Sequence, residues 1–411
     1  MGKRVLLVGF GMQGKAVLHD LVHCADISRI DVVDSRPDLQ SDLSIYPSGK
    51  VSGRILDATD EESLAVLLRH ADAVVEALPG AFALQVGRLA ADCGVNLVSS
   101  MYYLNPGEQE AEKIQSINNE IRYIHGKAKG KGIVILTEFG LDPGLDLILG
   151  AKAIGELDEV HELHMYGAGI PGPNARSNPL QYKFSWSIIG VMKAYRRAAK
   201  IIKAGQVQVI EPARLFEPAN CHLLDVAEIG SPLECFPNGD SVHYAELFGV
   251  RDSIREMGRY TCRLPSHCAF WNTMVKCGFL DDKPIRCGDL SASPMLYTTS
   301  LLASQKQFYY ADDEQDMTLV RVEARGTRHG KKTGVIYQLV DTRDLESGLT
   351  SMQRTVGFTL SLGAQLILER KLDRSGLLTP LDVPYEKVFP RLEKHNIHVQ
   401  RLEIPADRLR M

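Results

Sequence analysis

Neither sign of charge dominates this 411-residue sequence. It holds 47 Lys and Arg against 51 Asp and Glu, for a formal net charge of -4. That balance excludes the basic footprint of a nucleic-acid binder. Long apolar runs are missing too; none reaches the roughly 20 residues needed to cross a bilayer, so no membrane partner is expected. Aromatics are few, at 7%, while 45% hydrophobic and 24% charged content is ordinary for a globular protein. No C-x-x-C pair occurs among the eight cysteines at 24, 93, 221, 235, 262, 268, 277 and 287. From Cys262 to Cys287, with His267 between them, the spacings of six, nine and ten do not fit a zinc knuckle, so no metal is expected. Small buried thiols in a reducing, cytoplasmic compartment are expected instead. Met1-Gly2-Lys3-Arg4 leads directly into an apolar strand, unlike a signal peptide. Repeats and low-complexity segments are absent.

The chain is long for one core and comfortable for two. Up to about residue 125, short apolar runs alternate with amphipathic stretches. Strands are expected at Arg4–Val8, Ile30–Val33, Gly53–Leu56, Ala73–Glu76, Asn96–Ser99 and Gly132–Leu136, with helices such as Gln13–His23 and Glu61–His70 between them. This alternation predicts an α/β fold with a parallel, doubly wound sheet, the Rossmann arrangement. From about 140 to 345 longer strand-like pieces and Pro/Gly clusters appear. Thr318–Ala324 and Val335–Val340 read as a hairpin turning at Arg328-His329-Gly330-Lys331. A second α/β domain with a mixed, largely antiparallel sheet is expected there. Residues 350 to 370 read as a helix, followed by a break at Gly376–Pro380 and a charged helix near Pro384–His395.

Gly9, Gly11 and Gly14 follow the first strand and open a helix, the setting that a dinucleotide fingerprint requires. The first glycine permits a tight turn, the second lets backbone approach a pyrophosphate, and the third allows close helix–strand packing. Met12 and Gln13 complete the turn, and the helix N-terminus faces negative charge. Asp34, twenty residues beyond Gly14, ends the second strand where a carboxylate accepts hydrogen bonds from the adenosine ribose. Asp34 would repel a 2′-phosphate and favours NAD; Ser35 and Arg36 beside it keep NADP possible. Asp57 reads equally as an adenine contact or as a helix cap ahead of Thr59–Leu68. The Glu76-Ala77-Leu78-Pro79-Gly80 turn, after the fourth strand, is expected to border the cofactor phosphates and ribose, with Ala77, Leu78 and Pro79 the contacts.

Three segments carry a resemblance. Thr137–Asp146 (TEFGLDPGLD), Tyr166–Pro171 (YGAGIP) and above all Asn178–Ser187 (NPLQYKFSWS) are similar to the saccharopine dehydrogenases, the glutamate-forming saccharopine reductases, with the related lysine 6-dehydrogenases. Thr261-Cys262-Arg263, Thr350–Arg354 and Gly376–Pro380 extend it over nearly the whole chain. The resemblance implies oxidation of a C–N bond at the lysine ε-carbon. Saccharopine would give 2-aminoadipate semialdehyde and glutamate, or the reverse, whereas free lysine would release ammonia. It also implies a small-molecule amino-acid substrate, a homodimer, and three segments: a Rossmann domain over 1–137, a substrate domain over 138–345, and a C-terminal part over 346–411 that returns to the first.

Such chemistry needs a base for the amine proton and an arginine for a substrate carboxylate. Asp142, on a Leu-Asp-Pro-Gly turn, is the first candidate for the polar group near the reacting nitrogen, or else a turn former before proline. Lys183 is an acid/base or anion-contact candidate, with Tyr182 and Gly167 in the same matching segments. Ser100 and Tyr102 lie in a segment similar to the family's Ser-Ser-Tyr, which implies substrate contact, with Tyr102 equally readable as an interface aromatic. Thr261 and Arg263 form the expected carboxylate site, and His267 is a proton-relay or structural histidine. Phe184 and Trp186 are expected to pack. One departure stands out, because Gly239 occupies the position where the saccharopine enzymes carry an arginine. That keeps lysine 6-dehydrogenase open, with Arg251 or Arg255 as substitutes, and beyond it a non-catalytic dinucleotide sensor.

Overall fold

The computed structural model describes residues 2–105, 108 and 110–404. They form two compact units, residues 1–148 with 353–397, and residues 149–352 with 398–411.

The first unit is built on strands that are apolar because helices cover both faces. Strands β1 (Lys3–Val8), β2 (Ile27–Asp34), β3 (Val51–Ile55), β4 (Ala73–Glu76), β5 (Asn96–Ser99) and β6 (Val134–Leu136) all fall where the sequence places them. With β17 (Gly376–Leu378) they make one parallel sheet in the order β17-β6-β5-β4-β1-β2-β3. Leu6, Val8, Val33, Val74, Leu97 and Ile135 form the centre of its core. The order reverses between β1 and β4, and ligands of such sheets bind outside the strand ends at that point. The Gly376–Pro380 segment, expected as a break, instead adds the strand β17 along β6, since Gly376-Leu377-Leu378 pairs with Val134-Ile135-Leu136. The helix Ser351–Leu368 packs on the helix Met12–Leu21 at Gly357, where a Cβ would lie 2.5 Å from that of Ala16.

The second unit holds the mixed sheet. Its strands are β7 (Glu159–Pro171), β8 (Ala199–Lys203), β9 (Gln206–Ile210), β10 (His222–Leu224), β11 (Leu233–Pro237), β12 (Glu256–Arg263), β15 (Asp316–Arg328), β16 (Lys331–Thr342) and β18 (Val399–Glu403). A small hairpin, β13 (Ile285–Cys287) with β14 (Leu290–Ala292), stands apart from them. The main order is β10-β11-β12-β7-β15-β16-β18, with β8 and β9 off β12. Only β12 and β7 run parallel among these pairs. The expected hairpin is longer than its sequence signal and turns at His329 and Gly330, with φ of 52° and 71°. Both values are positive, as a tight two-residue hairpin requires. The C-terminal strand β18 pairs with β16 in this unit, so only 353–397 of the segment expected to return belongs to the first unit.

Candidate functional site

Register brings the ends of four parallel strands level, with Val8 opposite Val33 and Glu76, and Glu76 opposite Ser99. The glycine turn lies on top of them. A Cβ on Gly9 would meet the Ala77 carbonyl at 2.6 Å and Leu78 at 3.1 Å, and one on Gly14 would meet the Gly9 carbonyl at 2.1 Å. A Cβ on Gly11 would meet nothing within 4 Å. Two glycines are therefore demanded by chain against chain, while at the third a Cβ would project into open space. The helix Met12–Leu21 starts there with no acidic residue in its first turn. These features fit a dinucleotide.

Asp34 is occupied by its own chain. One carboxylate oxygen accepts the Phe10 N–H at 2.6 Å; the other accepts the Arg36 N–H at 2.9 Å and its Nε at 3.2 Å. Arg36 also donates to the Phe10 carbonyl and pairs with Asp38 and Asp42, but keeps 36% of its side chain exposed. Ser35 is exposed next to it. Asp57 accepts from the Thr59 amide and hydroxyl in a local turn, and the cap of the helix Glu61–Leu68 is Asp60, which accepts from the Ser63 amide. The capping role falls to Asp60 because it immediately precedes the first helical turn.

Ser100 is buried and donates to Gln13 of the glycine turn at 3.3 Å. Tyr102 is half-buried, and Asp142 is exposed before the helix Leu145–Ile154, at a cis peptide bond to Pro143. Glu76 opens the turn that the sequence places beside the cofactor, though the sequence gives its side chain no separate role. It is 1% exposed and accepts from Ser99 Oγ at 2.5 Å and the Leu78 amide at 2.8 Å. Burial pushes its carboxyl up to about 7, against those two hydrogen bonds. The signal was an acid ending the apolar strand Ala73-Val74-Val75.

In the second unit Gly167 of β7 lies directly across from Thr261 of β12. Arg263 follows on the same face of the strand and is 5% exposed. Its guanidinium carbon lies 4.9 Å from the Tyr182 ring centroid, NH1 donates to the Cys262 carbonyl, and NH2 lies 3.5 Å from the Tyr182 hydroxyl. Among the described residues no carboxylate pairs with it, and Nε has no partner. Burial works against the charge, but the Tyr182 and Tyr195 oxygens hold Arg263 protonated. His267 bonds the Tyr195 hydroxyl through Nε2 at 2.8 Å. Burial first, then Arg263, lowers its pKa well below the usual value, so it is neutral and does not titrate near pH 7 as its residue type suggested.

Lys183 is 4% exposed and gives two hydrogen bonds to Glu314, at 2.7 and 2.5 Å. Its ammonium lies 5.9 Å from the Tyr310 ring centroid. Trp271 Nε1 and the Tyr310 hydroxyl, like Arg263 Nε, are buried without a partner among the described residues. Such orphaned donors call for an explanation, and a polar ligand is one. Phe184 is buried as expected, whereas Trp186 is 40% exposed. Gly239 has φ of 69°, in the left-handed region, directly ahead of the Asp240 cap on the helix Ser241–Leu247. Arg251 is half-buried and Arg255 exposed.

Among the described residues, no three His, Cys, Asp or Glu side chains gather in a way that could hold a metal ion. None of their helices is long and apolar enough to cross a membrane.

The parallel sheet with its glycine turn at the strand reversal defines a Rossmann-type dinucleotide-binding architecture joined to a mixed-sheet unit. The chain belongs to the saccharopine dehydrogenase family: residues 5–136 match the saccharopine dehydrogenase NADP binding domain and residues 140–397 the saccharopine dehydrogenase C-terminal domain. It is 29% identical to the saccharopine dehydrogenase [NADP(+), L-glutamate-forming] of Saccharomyces cerevisiae, over 92% of this chain and 94% of that one. Alpha-aminoadipic semialdehyde synthase of Arabidopsis thaliana is 26% identical over 82% of this chain. The chain spans only 37% of the length of that protein. The apo saccharopine dehydrogenase structure from Saccharomyces cerevisiae shares the fold, with a TM-score of 0.79 at 23% identity over 98% of this chain and all of that one. Homospermidine synthase from Legionella pneumophila shares it more distantly, with a TM-score of 0.67 at 11% identity over 98% of this chain and 92% of that one.

Proposed function

We propose that the chain is an NADP-dependent dehydrogenase that oxidises the C–N bond of saccharopine to 2-aminoadipate semialdehyde and glutamate, or runs the reverse. One observation carries this reading: Arg263 is a buried guanidinium with no carboxylate partner among the described residues. A buried ion without a counter-charge costs several kcal/mol, and a substrate carboxylate supplies the missing charge. Thr261, Gly167, Tyr182 and the orphaned donors of Trp271 and Tyr310 give that carboxylate-bearing substrate polar and aromatic contacts. His267, held in its neutral form, buttresses Tyr195.

A bound nicotinamide supplies the hydride acceptor. Gly9, Gly11, Met12, Gln13 and Gly14 hold the pyrophosphate, and Ala77, Leu78 and Pro79 border it. The family's NADP binding domain supports NADP over the NAD that Asp34 suggested. Asp34 already accepts two backbone N–H groups, so it serves the glycine turn, and the partly exposed Arg36, with Ser35, takes the 2′-phosphate. Asp142, exposed on its turn, is the candidate to take the amine proton. Lys183 is tied to Glu314 and supports the site as an ion pair. Ser100 and Tyr102 keep the substrate-contacting role that the resemblance implies.

Gly239 favours a second reading, in which lysine is the substrate and ammonia the product, because the family's arginine is missing there. The resemblance also supports a homodimer, and seven unbridged cysteines support a reducing, cytoplasmic compartment. Purified chain offered NADP+ with saccharopine or lysine distinguishes the readings. Reduced cofactor with saccharopine alone supports the first, and with lysine and ammonia release the second. Cofactor binding with neither turnover leaves a dinucleotide sensor.

A further inference from the structure

Glu76 is the one acidic residue in β4 and closes that strand at the point where the sheet order reverses. Its two oxygens reach in different directions. Oε1 accepts the Leu78 amide of the segment after β4, and Oε2 accepts the hydroxyl of Ser99, the last residue of β5. Ser99 Oγ in turn accepts the Met101 amide at 3.0 Å. A single carboxylate thus spans the two turns that follow adjacent strands, one carrying Ala77–Pro79 and the other Ser100–Tyr102. The Tyr103 phenol is the titratable group set against it among the described residues; burial, with Glu76 adding to it, keeps that phenol neutral. No cation among the described residues pairs with Glu76.

We propose that Glu76 is a positioning residue of the dinucleotide site, whose ionised form fixes both turns and favours the oxidised, positively charged nicotinamide over the reduced, neutral one. This rests on the cofactor reading above. A carboxylate is acceptor-only and satisfies both donors at once. Protonated, it must donate its own hydrogen. The only oxygen it bonds on the Ser99 side then has to turn its hydroxyl away, and the link between the turns weakens. Charge acts in the same direction, because a buried anion beneath the strand reversal is weakly screened and attracts the cationic ring. Burial places the switch near neutral pH, where the usual glutamate has long been ionised.

The test is direct binding of NADP+ and NADPH, followed by protein fluorescence between about pH 6 and about pH 8. In the wild type, affinity for NADP+ relative to NADPH rises about tenfold across that range. In Glu76→Gln, which keeps an acceptor for Leu78, the ratio stays flat. Ser99→Ala removes a hydrogen bond to the ionised form and moves the midpoint to higher pH. An unchanged pH dependence in Glu76→Gln, or an unmoved midpoint in Ser99→Ala, overturns the proposal. If neither cofactor form binds the wild type, the cofactor reading itself fails, and that outcome is distinct from the other two.

Discussion

Arg263 stands over the face of Tyr182, 4.9 Å from its ring centroid, while its Nε has no hydrogen-bond partner among the described residues. A cation placed this way is stabilised by the ring but not neutralised by it. The described residues of the second unit thus leave this charge without a counter-ion, and the proposed substrate carboxylate would supply one. Lys183, buried to a similar depth, is by contrast paired with Glu314.

Arg263→Met should separate the two roles. Losing a charged hydrogen bond to substrate is expected to raise KM about 10- to 100-fold. Stability should hold or improve, because an unpaired buried ion has been replaced by an apolar side chain of similar length. Steady-state kinetics and thermal unfolding check both halves. A fall in stability with unchanged KM would mean that Arg263 only supports the fold.

Arg36→Ala should weaken NADP+ binding about tenfold or more while leaving NAD+ nearly unaffected, since only the former offers Arg36 a phosphate. Titration of both cofactors against wild type and variant measures it. Tighter wild-type binding of NAD+ than of NADP+ would instead return Asp34 to the ribose.

Glu314→Gln leaves the Lys183 ammonium buried without its counter-ion. Breaking such a pair costs about 3–5 kcal/mol in stability. The double variant Lys183→Met with Glu314→Leu should recover most of that loss. Denaturant unfolding of the three variants checks it, and equal stabilities for the wild type and Glu314→Gln would contradict the assignment.

His267 has a folded pKa well below its ordinary 6.5. The native state then binds fewer protons than the unfolded chain, so the stability it contributes is present above about pH 6.5 and declines as pH falls below that value. His164, lowered to about 4 by burial first and Arg325 next, acts in the same direction. Replacing His267 by Gln should flatten the loss of stability between about pH 7 and about pH 5, and urea unfolding at several pH values reads it. It should add no new limb to the pH–rate profile.

The parts legible in the sequence are those where one backbone position must be one residue type. Gly9 and Gly14 are such positions, each within van der Waals conflict of the neighbouring chain if any side chain is added. The apolar strands β1 to β6 were equally legible, because buried parallel strands read as continuous apolar runs. The Gly376–Leu378 strand was not; three residues carry no period, and only pairing with β6 makes them a strand. In the second unit Arg263, His267 and Tyr182 were named from motifs, yet their company was invisible. Lys183 meets Glu314 across 131 residues of sequence, and Tyr195 meets His267 across 72. For the same reason the sequence left His267 open between proton relay and structural histidine, since the burial and the neighbouring arginine that lower its pKa are properties of the packed unit.

Cleavage of saccharopine bound at Arg263 is tested most directly by the products it forms. Purified protein is incubated with saccharopine and NADP+, and reduced cofactor, glutamate and ammonia are quantified in the same sample. One glutamate is expected for each reduced cofactor and no ammonia, with Arg263→Met needing far more saccharopine to reach the same rate. Ammonia without glutamate when lysine is supplied, and no turnover of saccharopine, would contradict the saccharopine reading.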